Sequence, residues 1–247
     1  MTSTTWSRIR LGSVAASFPV VAIGMLALGS LTPGYSQLAD PVSRLASSGE
    51  RWAPEASGLI AIYGAMVIVG SGSLGQYLRR HDLPRRANLL TLLLASYGVA
   101  CMVVSIAPKN QPGTPPTLIS ELHVSAAVIG GGMLFGAMGL VARRAASRAV
   151  RSTAIAVGVL TAAGAVALRL TWGTHVYGLN ERLLLALGMG WLSALATLRW
   201  RARSRRSATA HSTSTIGDDL ASVTTSPAGE VSSRARCRIR FRIPWQP

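Results

Sequence analysis

The sequence predicts an all-α fold, a polytopic membrane bundle of six transmembrane helices with both termini in the cytoplasm (N-in/C-in). Three observations predict it. Six long apolar stretches alternate with short polar connections, and a helix needs about 20 mostly apolar residues to cross the hydrocarbon core. Charged residues make up only 14% of the chain and are crowded between the stretches, whereas a soluble domain carries about a quarter. The basic residues concentrate on alternate connections. Mean hydropathy is +0.36. Helices suit such a chain because they satisfy their own backbone hydrogen bonds where no water can.

The elements follow in order. Residues 1–11 form a cytoplasmic N-terminus, and 12–200 hold the six-helix transmembrane domain. Span one covers 12–31, with Pro19 inside it as a kink. Its basic start (Arg8, Arg10) and the small residues Ala27-Leu28-Gly29 also fit a cleaved signal peptide. The apolar run is longer than the usual 7–15 residues of a secretory core, which favours a retained helix. Span two covers 57–78 and carries Gly70, Gly72 and Gly75. Span three covers 87–107; Cys101 within it reads as a small apolar filler, and no C-x-x-C pairs it for metal or redox work. Span four covers 118–142 and contains Gly132 and Gly136 as a G-x-x-x-G pair, expected to pack inside one monomer. Spans five and six cover 150–172 and 181–200. Residues 201–247, rich in Ser, Thr, Ala and Arg, are expected to form a disordered basic cytoplasmic tail.

Orientation follows from the arginines. The N-terminus, the second-to-third and fourth-to-fifth connections and the start of the tail hold fifteen basic residues; the other connections hold five. The richer side is cytoplasmic by the positive-inside rule. A net charge of +16 could suggest nucleic acid, but no nucleic-acid module is present, and the cations sit where anionic headgroups of the cytoplasmic leaflet attract them. The expected partner is therefore the bilayer itself. With 24 Arg and one Lys, Lys109, the usage is that of a GC-rich bacterial genome, and the expected location is the inner (plasma) membrane.

Ionisable residues near or inside a membrane are functional candidates. On the helix ends expected outside, these are Glu121 and His123 early in span four, Arg169 late in span five, and Glu181 and Arg182 opening span six. The first outer loop adds Ser43 and Arg44. Glu121 could pair with Arg169, since paired charges at that depth cost less than lone ones. His123 lies about 200° around the helix from Glu121, so the two face different neighbours. The pocket reading competes with simple snorkelling to the headgroups. A zinc hydrolase wants three protein ligands, but no H-x-x-x-H or H-E-x-x-H is present. Ser43, His123 and Asp40 could be imagined as a nucleophilic set, without a motif to support it. No catalytic residue, metal ligand or cofactor is assigned.

Several segments resemble a known family. These are Tyr35-Ser36-Gln37-Leu38-Ala39-Asp40-Pro41-Val42-Ser43-Arg44-Leu45 before the Gly-rich span two, then Ala107-Pro108 followed by His123, then Gly178-Leu179-Asn180-Glu181-Arg182. The chain is similar over roughly residues 10 to 200 to the bacterial six-helix membrane family catalogued as domain of unknown function 998. The family often has an acidic residue just after the span-three proline, where Lys109 and Asn110 stand here. The resemblance implies an integral membrane protein and makes Ser43, His123, Glu181 and Arg182 the first positions to test; it implies no activity. The expected function is a non-catalytic membrane protein with an outward polar pocket for a lipid or small molecule. The alternatives are an intramembrane hydrolase of a lipid-like substrate and a small-solute transporter.

Overall fold

The computed structural model describes residues 3–81, 85–111 and 113–223. Among them the elements are α1 (Ser3–Leu31), a single-turn α2 (Val42–Leu45), α3 (Ala53–His81), α4 (Ala87–Ile106), α5 (Leu118–Arg144), α6 (Arg148–Leu170) and α7 (Tyr177–Val223), with no strand. All but α2 hold a segment long and apolar enough to cross a membrane. The chain is thus the all-α, six-helix membrane bundle that its apolar periodicity predicts.

Helix starts differ from the apolar windows for local reasons. The third helix begins at Ala53, ahead of residue 57, because Ala53-Pro54-Glu55 places a proline and an acidic residue in its first turn, where both are favoured. Thr117 caps α5 by accepting from Ser120 N at 3.3 Å, and Ser147 caps α6 by accepting from Val150 N at 3.4 Å. The last helix starts at Tyr177 and runs past Trp200, where span six was expected to end, to Val223; no proline interrupts it before Pro227. Residues 224–247, including Cys237 and most of the expected disordered tail, lie outside the described residues. By contacts the chain divides into Met1–Ser204 and Arg205–Pro247, and the six spans lie in the first unit.

Helix α3 packs on α1 and α4, α4 on α5, and α5 on α6. Their buried faces contribute Leu11, Val14, Val67, Leu74, Leu90, Leu94 and Met138 to one core, joined by Leu192 from α7. Ile23, Val128, Val159 and Leu198 point outward, as side chains do where lipid is the solvent. Glycines set the closest approaches. A Cβ on Gly64 would lie 2.7 Å from the Gly98 carbonyl oxygen, and one on Gly98 would lie 2.8 Å from that of Gly64, so α3 and α4 cross backbone to backbone. Tyr97 donates to Tyr63 at 3.2 Å beside that crossing, which gives the buried Tyr63 hydroxyl a partner.

The G-x-x-x-G pair behaves otherwise than expected. A Cβ on Gly132 would meet nothing within 4 Å, and one on Gly136 would meet only the Leu93 methyls, the nearer at 3.7 Å. The close intramolecular seam is built instead by Gly64, Gly70 and Gly98, because α3 sits between α1 and α4 while Gly132 faces away from the core.

Pro19 interrupts the first helix, and α7 mends the ladder next to it. Ser193 Oγ donates to Val14 O at 2.9 Å and accepts from Phe18 N at 3.3 Å. Those are the acceptor and donor of one i→i−4 rung. Ser17 Oγ also donates to Val14 O, at 2.8 Å. A hydroxyl from a neighbouring helix is one of the ways a proline-opened ladder is satisfied in lipid.

Alternating helix directions bring the connections 32–52, 107–117 and 171–176 to one end of the bundle. Arg79, Arg80, Arg143, Arg144, Arg148 and Arg151 gather at the other.

Candidate functional site

The end formed by the three connections is organised around Tyr35 and Arg182. Asp40 starts the arrangement: its carboxylate accepts from Ser36 N at 2.7 Å and pairs with Arg44 at 2.7 Å. Arg44 also reaches Glu50, at 3.3 Å, and the hydrogen bond it donates to Asp40 raises its guanidinium above the ordinary arginine value. The loop so folded presents its carbonyls to α7. Arg182 Nη1 donates to Gln37 O at 2.6 Å, Asp40 O at 2.9 Å and Gly178 O at 2.9 Å, and Nη2 donates to the Tyr35 hydroxyl. Tyr35 in turn donates to Pro41 O at 3.0 Å. The Tyr35 ring has both guanidiniums near it, Arg44 at 5.8 Å and Arg182 at 5.5 Å from its centroid, an attraction of cation for π-face. Burial pushes the Tyr35 phenol up to about 12, against the pull of Arg182.

Three more contacts fasten the same two segments. Glu181 accepts from Val42 N at 2.5 Å, Gly178 N donates to Ala39 O at 3.2 Å, and Leu179 N donates to Leu38 O at 2.8 Å. Residue 178 has to be glycine, since a Cβ there would lie 2.8 Å from Asp40 N. The first turns of α7 and the loop 35–44 therefore form one clamp. A second clamp joins α4 to α5: His123, 5% exposed, holds the Ala107 carbonyl through Nδ1 at 2.7 Å. The α4–α5 connection is tied down by Ser48 N donating to Lys109 O at 3.1 Å, and by Asn110, whose amide donates to Pro115 O at 2.6 Å and accepts from Thr117 Oγ1 at 3.0 Å.

Between these clamps lies an open groove of about 560 Å³. Ala39 and Pro41 of the clamped loop form one side, residues between α4 and α5 that include Lys109, Gln111, Thr114 and Pro116 the second, and Trp172, His175 and Tyr177 with their neighbours the third. Lys109 Nζ sits 5.7 Å from the Trp172 ring centroid, and Trp172 meets Tyr177 edge to face at 5.0 Å. Gly173, at φ 78°, makes the turn that brings the aromatic pair together.

The residues singled out from sequence do not form one pocket, and none of them lines this groove. Arg44, Glu181 and Arg182 belong to the first clamp. Ser43 lies in α2, where its carbonyl accepts from Ser47 Oγ at 3.1 Å. His123 belongs to the second clamp. Glu121 and Arg169 are exposed on α5 and α6. Neither Glu121 nor Arg169 forms an ion pair with a described residue, so the Glu121–Arg169 pair that the sequence allowed is not made. Asp40, His123 and Ser43 each have separate partners and make no hydrogen bond with one another. Among the described residues no three His, Cys, Asp or Glu side chains gather as a metal site. The groove residues had weaker signals in the sequence: Lys109 as the lone lysine at a place often acidic in the resembling family, Trp172 and Tyr177 as an aromatic belt.

The three segments that carry the resemblance are the parts that touch: 35–44 against 178–182, and Ala107 against His123. No curated protein and no solved structure matches this chain. The family model for a protein of unknown function, DUF998, matches residues 14–198, and the chain belongs to that family.

Proposed function

We propose that this chain is a non-catalytic plasma-membrane protein, N-in and C-in, whose groove at the outer end receives a lipid headgroup or a small molecule. The observation that carries the reading is the groove itself, which lies between two hydrogen-bonded clamps. Ligand sites are concave, pre-formed and marked by a few convergent polar groups beside apolar walls. Here the walls are Pro41, Trp172 and Tyr177, and the polar groups are Lys109, Gln111 and His175. The arginine-rich far end rests on anionic headgroups of the cytoplasmic leaflet, each cation adding about 1 kcal/mol near such a surface.

Thermal unfolding of the detergent-purified chain across a panel of lipids and small solutes tests the reading. A bound ligand at a hundred times its Kd adds about 2.7 kcal/mol of stability. Thr114→Trp, which fills the groove from an exposed position, is expected to abolish that gain while leaving the unliganded melting temperature in place. Stabilisation that survives Thr114→Trp for every ligand would remove the groove from the account.

A further inference from the structure

We propose that the groove selects a phosphate ester, with Lys109 as the anion-binding residue. This rests on the reading that the groove is a ligand site, and adds the chemistry of what it takes.

Among the described residues that line the groove, Lys109 is the one with a cationic side chain, and none is Asp or Glu. The nearby carboxylates have other hydrogen-bond or ion-pair partners or lie exposed: Glu181 accepts from Val42 N and reaches Lys109 only as a longer-range charge, Asp40 pairs with Arg44, and Glu121 is exposed on α5. Among the described residues no carboxylate oxygen lies within ion-pair distance of Lys109. Its ammonium is steered by the Trp172 ring instead. A ring face attracts the cation without capping its N–H groups, so the charge is positioned and its donors stay available.

The donors around it complete an anion site. Tyr177 and His175 line the same groove, and the side chain of neither hydrogen-bonds to another described residue. The groove lies beside the N-terminal turns of α5 and α7, through Ser120 and Tyr177, where the helix dipole favours negative charge. Lysine binds phosphate as a compact point charge, whereas the planar carboxylate is best matched by the arginine fork. The arginine nearby, Arg182, is held by four neutral oxygens and is not free to serve. The apolar flank of Trp172, which is 61% exposed, suits the carbon part of an ester. Such an ester could be the headgroup of a phospholipid or a soluble phosphate ester, and both present the same anion.

The test uses the full chain in a neutral detergent and three probes: dihexanoyl-phosphatidylglycerol, dihexanoylglycerol and glycerol 3-phosphate. Calorimetric titration is run on the native chain and on Lys109→Gln, Lys109→Arg and Thr114→Trp, each checked for an unchanged melting temperature. The quantity read is the binding lost in Lys109→Gln, since arginines at the far end attract anions regardless. One charge-assisted hydrogen-bond centre corresponds to about tenfold or more in affinity. The expected result is that a phosphate-bearing probe binds at least about tenfold more weakly to Lys109→Gln, that Lys109→Arg retains most of the binding, and that dihexanoylglycerol is indifferent to both. Binding of the phosphatidylglycerol alone assigns the site to a lipid headgroup; equal binding of glycerol 3-phosphate assigns it to a soluble ester. If all three probes bind alike, lose binding in Thr114→Trp and ignore Lys109→Gln, the groove stands and the phosphate assignment falls. If none binds, or Thr114→Trp changes nothing, both fall together.

Discussion

Arg182 shows how one side chain can hold two distant stretches of chain together. Its guanidinium meets carbonyls at Gln37, Asp40 and Gly178 and the Tyr35 hydroxyl, and no carboxylate. Replacing it with leucine strands those acceptors in a half-buried place, at a cost of about 2–3 kcal/mol for charge-assisted bonds. Arg182→Leu is therefore expected to melt well below the native chain in detergent, and Arg182→Lys to recover only part, because a point charge cannot span the fork's acceptors. Tyr35 gives a pH signature. Its folded pKa is raised from 10.0 to about 12, by burial first. Folding thus favours the neutral phenol: the stability it brings is complete below pH 10 and is lost as pH rises from 10 through about 12. An alkaline unfolding series should show a steeper loss in the native chain than in Tyr35→Phe, because the other buried tyrosines act on both. An alkaline limb of equal slope in the two proteins would disconnect Tyr35 from it.

At the scale of elements, glycine and serine decide how the helices meet. Helices α3 and α4 cross where Gly64 and Gly98 face each other's carbonyls. Gly98→Val has no room there and is expected to cost about 1–3 kcal/mol, as overpacking does. Gly132→Val, on a surface that meets nothing within 4 Å, is expected to leave the monomer unchanged in the same denaturation assay. Ser193 supports α1 at the Pro19 interruption; Ser193→Ala should cost about 1 kcal/mol, the net worth of an ordinary hydrogen bond. The clamps belong to this scale too. Each is a helix terminus locked to a loop from elsewhere in the chain, α7 to residues 35–44 and α5 to the end of α4. The resembling segments were recognisable as strings of residues. That they answer each other, Gly178 making room for Asp40 and His123 holding Ala107, was not visible in them, because no string carries the distance to its partner.

The unit Met1–Ser204 is a bundle with one arginine-rich end and one end of folded connections. By the positive-inside rule we propose that the first lies in the cytoplasm. In a chain whose Cys101 and Cys237 are replaced by alanine, a cysteine at Thr114 should react with an impermeant maleimide in intact cells, and one at Ser147 only after permeabilisation. The reverse pattern would invert the topology and close the groove to the outside. The sequence by itself determined the fold class and the number of crossings. Hydropathy over about 20 residues measures the transfer of a whole helix into lipid, a sum in which no single contact matters. It also marked the loop end as the place where polar groups collect. Only the tertiary structure decided which of them are free. Glu181, Arg182 and His123 read as pocket residues because charge near a membrane is costly, yet that cost is met by partners many positions away: Val42, Gln37 and Ala107. Lys109 was left over for the same reason, since whether a charge is satisfied depends on which chains fold beside it.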